Sequence, residues 1–295
     1  MANLCNVDGR ISAEAEGRVS VLDRGFLFGD AVYEVVRTHG GVPLQWTEHW
    51  KRLRESAAGL MMELDLDEAT VARRVHDTVA AADHGDSYVR IVVTRGTGDA
   101  PNIDLAYATQ PPTWVVLVRP LSLATGKPVH LAVVERRRND RRALDPATKS
   151  GNYLNNVLGL AEAKAQGATD CVMLNAAGEV TEASTANLFI RREGVWCTPP
   201  LDAGILAGIT RSDLLTFLSA AGERVEERRL TAADLDDAEE MFLCSTLRDI
   251  SPVTHLNGRA LADAPSTARL LPLFVEHLRQ RLVERDAPRW RELVG

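Results

Sequence analysis

Lysine is the scarcest functional side chain in this sequence. Only Lys51, Lys127, Lys149 and Lys164 occur, and every other cation among the 34 Lys and Arg residues is arginine. Chemistry that needs a covalent amine therefore has four candidates. Cysteine is as sparse: Cys5, Cys171, Cys197 and Cys244 lack the paired spacing of a metal site and read as reduced, buried small hydrophobes. No metal is expected. No apolar run reaches the length of a membrane span, and the first ten residues lack a basic-then-apolar leader, so the expectation is a cytoplasmic protein with no membrane partner. A basic surplus is missing too. The net charge of −7 argues against a nucleic-acid partner, because phosphate backbones call for a cationic surface.

What is present is an ordinary globular composition, 45% hydrophobic and 25% charged, in a chain long enough for two modest domains. Gly40-Gly41 between β-rich runs at 31–38 and 42–46 predicts a hairpin. Thr47 is placed to cap a helix to about residue 60, with Trp50, Leu53, Ala57 and Leu60 on one face. A second helix over 67–82 and strands at 88–95 and 113–120 follow. Residues 121–128 read as a linker. Beyond it come a strand at 129–136, a helix over 152–166, strands at 170–175, 187–191 and 195–198, and a helix over 209–221 closed by Gly222. Thr231 and Asp234 suggest a capping box, ahead of a strand at 241–245 and a C-terminal helix from about 266. The expectation is an α/β (α+β) chain: a small N-terminal domain (1–120), a linker (121–128) and a larger strand-rich domain (129–295).

Two nucleotide-type motifs fail on inspection. Gly96-Thr97-Gly98 follows a strand, yet Pro101 stands where a third glycine belongs and no helix opens there. Gly126-Lys127 has Leu121 at the P-loop glycine position and Pro128 where Ser or Thr is needed. Both read as turns.

A more specific constellation spans most of the chain. It comprises Asp23-Arg24-Gly25-Phe26-Leu27-Phe28-Gly29-Asp30, then Val32-Tyr33-Glu34 and Arg37, and Glu48-His49 through Arg52-Leu53-Arg54 to Ser56-Ala57. Lys149-Ser150-Gly151-Asn152-Tyr153-Leu154-Asn155-Asn156 follows, then Glu179-Val180-Thr181-Glu182, Asn187-Leu188-Phe189, Gly208-Ile209-Thr210-Arg211, and Ser245-Thr246 through Pro252-Val253. Each piece is weak alone. In this order, from about residue 8 to 259, they resemble the class IV (fold-type IV) aminotransferases that use pyridoxal 5'-phosphate (PLP). The resemblance implies a fold with a small α/β domain and a larger pseudo-barrel domain, and a homodimer.

PLP requires an amine to attach its aldehyde, a carboxylate beside its ring nitrogen and donors around its phosphate. Lys51 and Lys164 fall on amphipathic helices and Lys127 in the linker, which leaves Lys149, just ahead of a helix, as the catalytic lysine. On the resemblance, Glu182 faces the ring nitrogen, although Ala183 replaces the family's usual glycine. Ile209 and Thr210 at a helix start, Arg54 and Thr246 take the phosphate, and Tyr153 takes the 3'-oxygen. Tyr88 and Arg90, two apart on a strand, share one face and suit a carboxylate, with Tyr33 lining the pocket.

At the positions that separate subfamilies, Ala100 and Asn102 replace the Arg-x-His pair of D-amino-acid aminotransferases, and Arg90 stands where (R)-amine transaminases carry an acid. Aminodeoxychorismate lyases generally lack the Tyr-x-Arg pair. The expected activity is ping-pong exchange between a branched-chain or other apolar amino acid and an α-keto acid such as 2-oxoglutarate. A D-amino-acid or (R)-amine transaminase, a PLP lyase and a non-catalytic PLP-binding protein stay open as alternatives, the first because Tyr33-Glu34-Val35-Val36 is similar to the D-amino-acid type.

Overall fold

The computed structural model describes residues 2–295 and divides them into two compact units. The first comprises residues 2–122, Thr148–Asn152 and Arg279–Gly295; the second comprises Leu123–Ala147 and Tyr153–Leu278. The first unit differs from the expected 1–120 domain in recovering the lysine segment and the C-terminus. The reason is packing: Trp290 and Leu293 lie in its hydrophobic core, and Trp290 meets Trp46 edge-on at 5.0 Å.

In the first unit, strands β1 (Leu4–Val7), β2 (Arg10–Ala13), β3 (Ala31–His39), β4 (Val42–Pro43), β5 (Ser87–Thr94) and β6 (Thr113–Pro120) form one sheet in the order β2-β1-β6-β5-β3-β4. The Gly40-Gly41 turn joins β3 to β4 as its spacing predicts, both glycines taking positive φ. Helices α1 (Arg24–Phe28), α2 (Trp46–Gly59) and α3 (Glu68–Ala82) complete the N-terminal part. Asp67 caps α3 through Thr70 N–H. The core joins Val32, Val36, Val89, Ile91, Val93, Val116 and Val118 of the sheet to Leu53, Ala57, Val71, Val75 and Val79 of α2 and α3. Each such valine, leucine or isoleucine side chain contributes about 1.5–3 kcal/mol by leaving water. Alternation then settles the other face. Tyr33 pairs with Val92, Val35 with Arg90 and Arg37 with Tyr88, so Tyr33, Arg37, Tyr88 and Arg90 point away from that core.

Thr47 is not the cap of α2. The helix starts at Trp46, and Gln45 at its N-cap is left-handed (φ 58°) without a side-chain cap bond. Gln45 N–H instead donates to the buried Asp286 carboxylate at 3.0 Å.

The second unit carries β7 (Val129–Arg137), β8 (Asp170–Leu174), β9 (Val180–Ala183), β10 (Asn187–Arg192), β11 (Val195–Thr198), β12 (Arg224–Glu227), β13 (Glu240–Ser245), β14 (Asp249–Leu256) and β15 (Arg259–Ala260). They make a curled sheet in the order β12-β11-β10-β13-β14-β7-β8-β9, with β15 on β14. Parallel pairs β11/β12, β14/β7 and β7/β8 sit among antiparallel ones. Helix α4 (Leu154–Ala165) packs Ala163 against Cys171 and Met173. Helix α5 (Ile209–Ala220) meets the C-terminal helix Pro265–Arg281 through Phe217 and Phe274, 5.2 Å apart. The short helix α6 (Ala232–Asp236) has the expected Thr231/Asp234 capping box.

Candidate active site

The lysine segment is held by β3. Gly151 N–H donates to Ala31 O at 2.6 Å and Tyr33 N–H to Lys149 O at 3.0 Å, so residues 148–152 run as an added edge on that strand. From α2, the Ser56 hydroxyl accepts Lys149 N–H at 3.1 Å. Gly59 leaves room for this segment: a Cβ there would stand 2.6 Å from the Thr148 hydroxyl.

The lysine side chain then turns to the same tyrosine. Lys149 Nζ lies 3.4 Å from Tyr33 Oη and 4.4 Å from its ring centroid. The Arg90 guanidinium stacks 4.0 Å from that ring. Arg90 is half-buried and has no ion pair or hydrogen bond among the described residues. Of the expected first-unit residues, Lys149, Tyr33 and Arg90 are thus brought together. Tyr88 stands two positions along β5 from Arg90, half-buried on the same face.

Arg54 is not with them. It is exposed and lines a recess with Trp50, Met62 and Glu63. Two residues earlier and about 200° around the helix, Arg52 is buried, and it shares its face with His49 and Ser56. Glu34, from the core-facing side of β3, takes Arg52 Nε at 2.7 Å and Nη2 at 2.8 Å, and His49 Nδ1 at 2.7 Å. Since a carboxylate only accepts, Nδ1 carries the hydrogen. Burial alone would raise the Glu34 pKa; Arg52 and His49 outweigh it and hold the carboxyl far below the usual carboxylate range. Burial pushes His49 down against the pull of Glu34, and the charges of Arg52 and Lys149 push the same way. Arg54, expected at the phosphate, is thus exposed, and on the lysine-facing side of α2 the arginine is Arg52.

In the second unit, Glu182 on β9 is 5% exposed. Its Oε1 accepts Arg138 Nη2 at 2.8 Å, while Oε2 accepts Leu206 N–H at 3.0 Å and Asn187 Nδ2 at 3.2 Å. A carboxylate offers about four acceptor directions, so these donors leave it able to take one more. Arg138 went unnoticed in the sequence because it ends the run Arg136-Arg137-Arg138, which reads as a solvated strand end. Asn187 also fixes the start of α5, since a Cβ on Gly208 would lie 1.9 Å from Asn187 Oδ1. Gly208 caps α5 without a side-chain bond, and the N–H groups of Ile209 and Thr210 have no partner among the described residues. Thr246 is half-buried in the turn after β13, and Tyr153 half-buried at the start of α4. The four thiols are free and buried; burial pushes Cys171 up to about 12 and Cys244 higher, so neither serves as a nucleophile at neutral pH.

Residues 31–256 match the family described as amino-transferase class IV. The chain is a class IV aminotransferase. It is 34% identical over 255 residues to a Methanocaldococcus jannaschii protein named provisionally as a branched-chain-amino-acid aminotransferase, covering 86% of this chain and 88% of that one. It is 32% identical to a D-alanine aminotransferase of Listeria innocua over 92% of this aminotransferase and 95% of that protein. The branched-chain aminotransferase of Thermoproteus uzoniensis, solved with norvaline, superposes with a TM-score of 0.88 at 29% identity, covering 97% of each chain. The branched-chain amino acid aminotransferase of Thermobaculum terrenum, solved in its PLP form, gives 0.82 at 25% identity, over 94% of each. The architecture is thus fold-type IV, and the family's members are PLP enzymes. Taken unit by unit, the donors suit that coenzyme: the first unit offers an amine on a strand edge, and the second a carboxylate with an acceptor direction to spare and a helix start whose N–H groups have no partner among the described residues. No described helix is long and apolar enough to cross a membrane.

Proposed function

We propose that this aminotransferase exchanges amino groups between a branched-chain or other apolar amino acid and an α-keto acid such as 2-oxoglutarate, with PLP on Lys149. The observation that carries the reading is Arg90: a half-buried cation without a counter-ion among the described residues, stacked on the phenol that meets the lysine amine. A guanidinium so placed suits a ligand carboxylate, and Tyr88 and Tyr33 add donors on the same face.

Glu182 would hold the coenzyme's ring nitrogen, Ile209, Thr210, Thr246 and Arg52 its phosphate, and Tyr153 its 3'-oxygen. Charge-assisted bonds of this kind contribute about 1.5–3 kcal/mol each, and a helix start adds about 0.3–2 kcal/mol for an anion. Bound there, PLP supplies the electron sink that lets the substrate Cα release its proton. Lys149 Nζ accepts that proton and returns it during transfer. Arg90 and Tyr88 fix the carboxylate so that the Cα hydrogen faces Nζ. The same reading makes the enzyme a cytoplasmic homodimer. It is supported by the exposed apolar face Leu154, Val157 and Leu158 of α4 and by four unoxidised cysteines.

The test is a half-reaction panel. The PLP-loaded enzyme is mixed with L-leucine, D-alanine, L-glutamate and (R)-1-phenylethylamine, and absorbance is followed. Conversion by L-leucine and L-glutamate is expected. A response to D-alanine alone would move the substrate reading to the D-amino-acid side, which the Listeria relative favours. Failure to form glutamate from 2-oxoglutarate with any amino acid would point to a lyase.

A further inference from the structure

We infer that occupancy of Arg90 by a carboxylate raises the proton affinity of the nitrogen at Lys149, through a stack in which the Tyr33 ring holds both cations. The inference rests on the functional reading above and adds to it a coupling between ligand recognition and proton transfer.

The geometry sets the coupling. Arg90 Cζ and Lys149 Nζ lie 4.0 and 4.4 Å from one ring centroid. The two charges are therefore no more than about 8 Å apart, where like charges at an effective dielectric of about 20 repel by roughly one and a half pKa units or more before solvent screening. Each cation alone is attracted to the ring face; together they oppose each other. With nothing on Arg90, the nitrogen at position 149 is biased toward its neutral, proton-accepting form.

The charged groups of α2 that lie toward Lys149 do not supply this bias. On α2, the Arg52 charge is cancelled by Glu34 at 2.7 Å, and burial keeps His49 neutral. Arg90 on β5 is the cation near the lysine that no carboxylate of the described residues pairs. It is the charge that an incoming ligand can neutralise. Once a ligand carboxylate is seated, the nitrogen holds a proton better, at the stage when it must take one from Cα. An amine without a carboxylate would not trigger the change.

The experiment is a pH titration of the visible absorbance of the PLP-loaded enzyme, with and without saturating 4-methylpentanoate, a carboxylate that has no amine to react. Occupancy is checked by calorimetry. The carboxylate should raise the midpoint by about one unit. Arg90→Gln should start about as high without ligand and respond no further, whereas Arg90→Lys should keep the response. Tyr33→Phe should keep it, because the ring remains, and Tyr33→Leu should reduce it. A wild-type midpoint that ignores saturating carboxylate, or one that moves equally in Arg90→Gln, overturns the coupling and leaves the aminotransferase reading intact. An undiminished response in Tyr33→Leu overturns the role of the stack. A wild-type protein with no lysine-linked coenzyme band would remove both readings together.

Discussion

Glu34→Gln isolates what the buried carboxylate under the lysine segment contributes. Glu34 and Arg52 have side chains 1% and 9% exposed and are joined at 2.7 and 2.8 Å. Removing one charge from a buried pair costs about 3–5 kcal/mol, because the partner is stranded away from water. The amide oxygen keeps one hydrogen bond, worth about 1 kcal/mol. The expected loss is then roughly 2–4 kcal/mol at pH 7, a folding equilibrium about 30- to 1000-fold less favourable. Urea unfolding followed by tryptophan fluorescence measures it.

The pH dependence has a definite sign. His49 is depressed in the folded state, so its contribution is full above the ordinary imidazole value of 6.5 and declines below it, as the unfolded chain takes the proton first. Glu34 is depressed as well, so its share is full above 4.5 and is lost as the pH falls further. Wild type should weaken in both windows. Glu34→Gln should lose the lower one and show a larger fall below 6.5, since His49 no longer has the carboxylate that favours its charged form. Adding Arg52→Met should recover stability, because the stranded charge is gone. A Glu34→Gln protein within about 0.5 kcal/mol of wild type, or a double variant no more stable than the single one, would refute the account.

Lys149→Ala should abolish both the covalent coenzyme link and multiple turnover; reductive trapping and mass spectrometry test the first, a steady-state assay the second. Glu182→Gln should retain bound PLP while Cα–H exchange falls by at least about 100-fold, read from deuterium washout of labelled substrate; an unchanged rate would remove Glu182 from the mechanism. Gly208→Ala should push Asn187 Oδ1 or the start of α5 aside. PLP affinity should then drop about tenfold and pyridoxal affinity much less, because pyridoxal has no phosphate. Equal losses for both ligands would count against a phosphate role for that helix start.

How much of this was readable beforehand follows the range of the interactions. Hairpin glycines, the α6 capping box and alternation along β5 are local, and the structure has them where the residues put them. Lys149 was singled out because it had few competitors. The choice between Arg52 and Arg54 was not local. Both sit on α2, and deciding which faces the lysine segment needs Ser56 and Glu34, which meet it only in three dimensions. Arg138 was hidden by its neighbours in a basic run, since nothing in spacing ties it to Glu182, 44 residues away. Thr47 misled for a similar reason: the carboxylate at the start of α2 comes from Asp286, 241 residues later.

That last contact bears on the order of assembly during synthesis. The half that carries the lysine is threaded from three separated stretches, the last of them beginning at Arg279. Until that stretch has left the ribosomal tunnel, the nascent chain cannot seat Trp290 against Trp46 or give Gln45 its acceptor. The nine-stranded half, by contrast, has all of its strands emerged by Ala260 and can mature sooner. The N-terminal portion, although made first, is thus the part whose core is completed last.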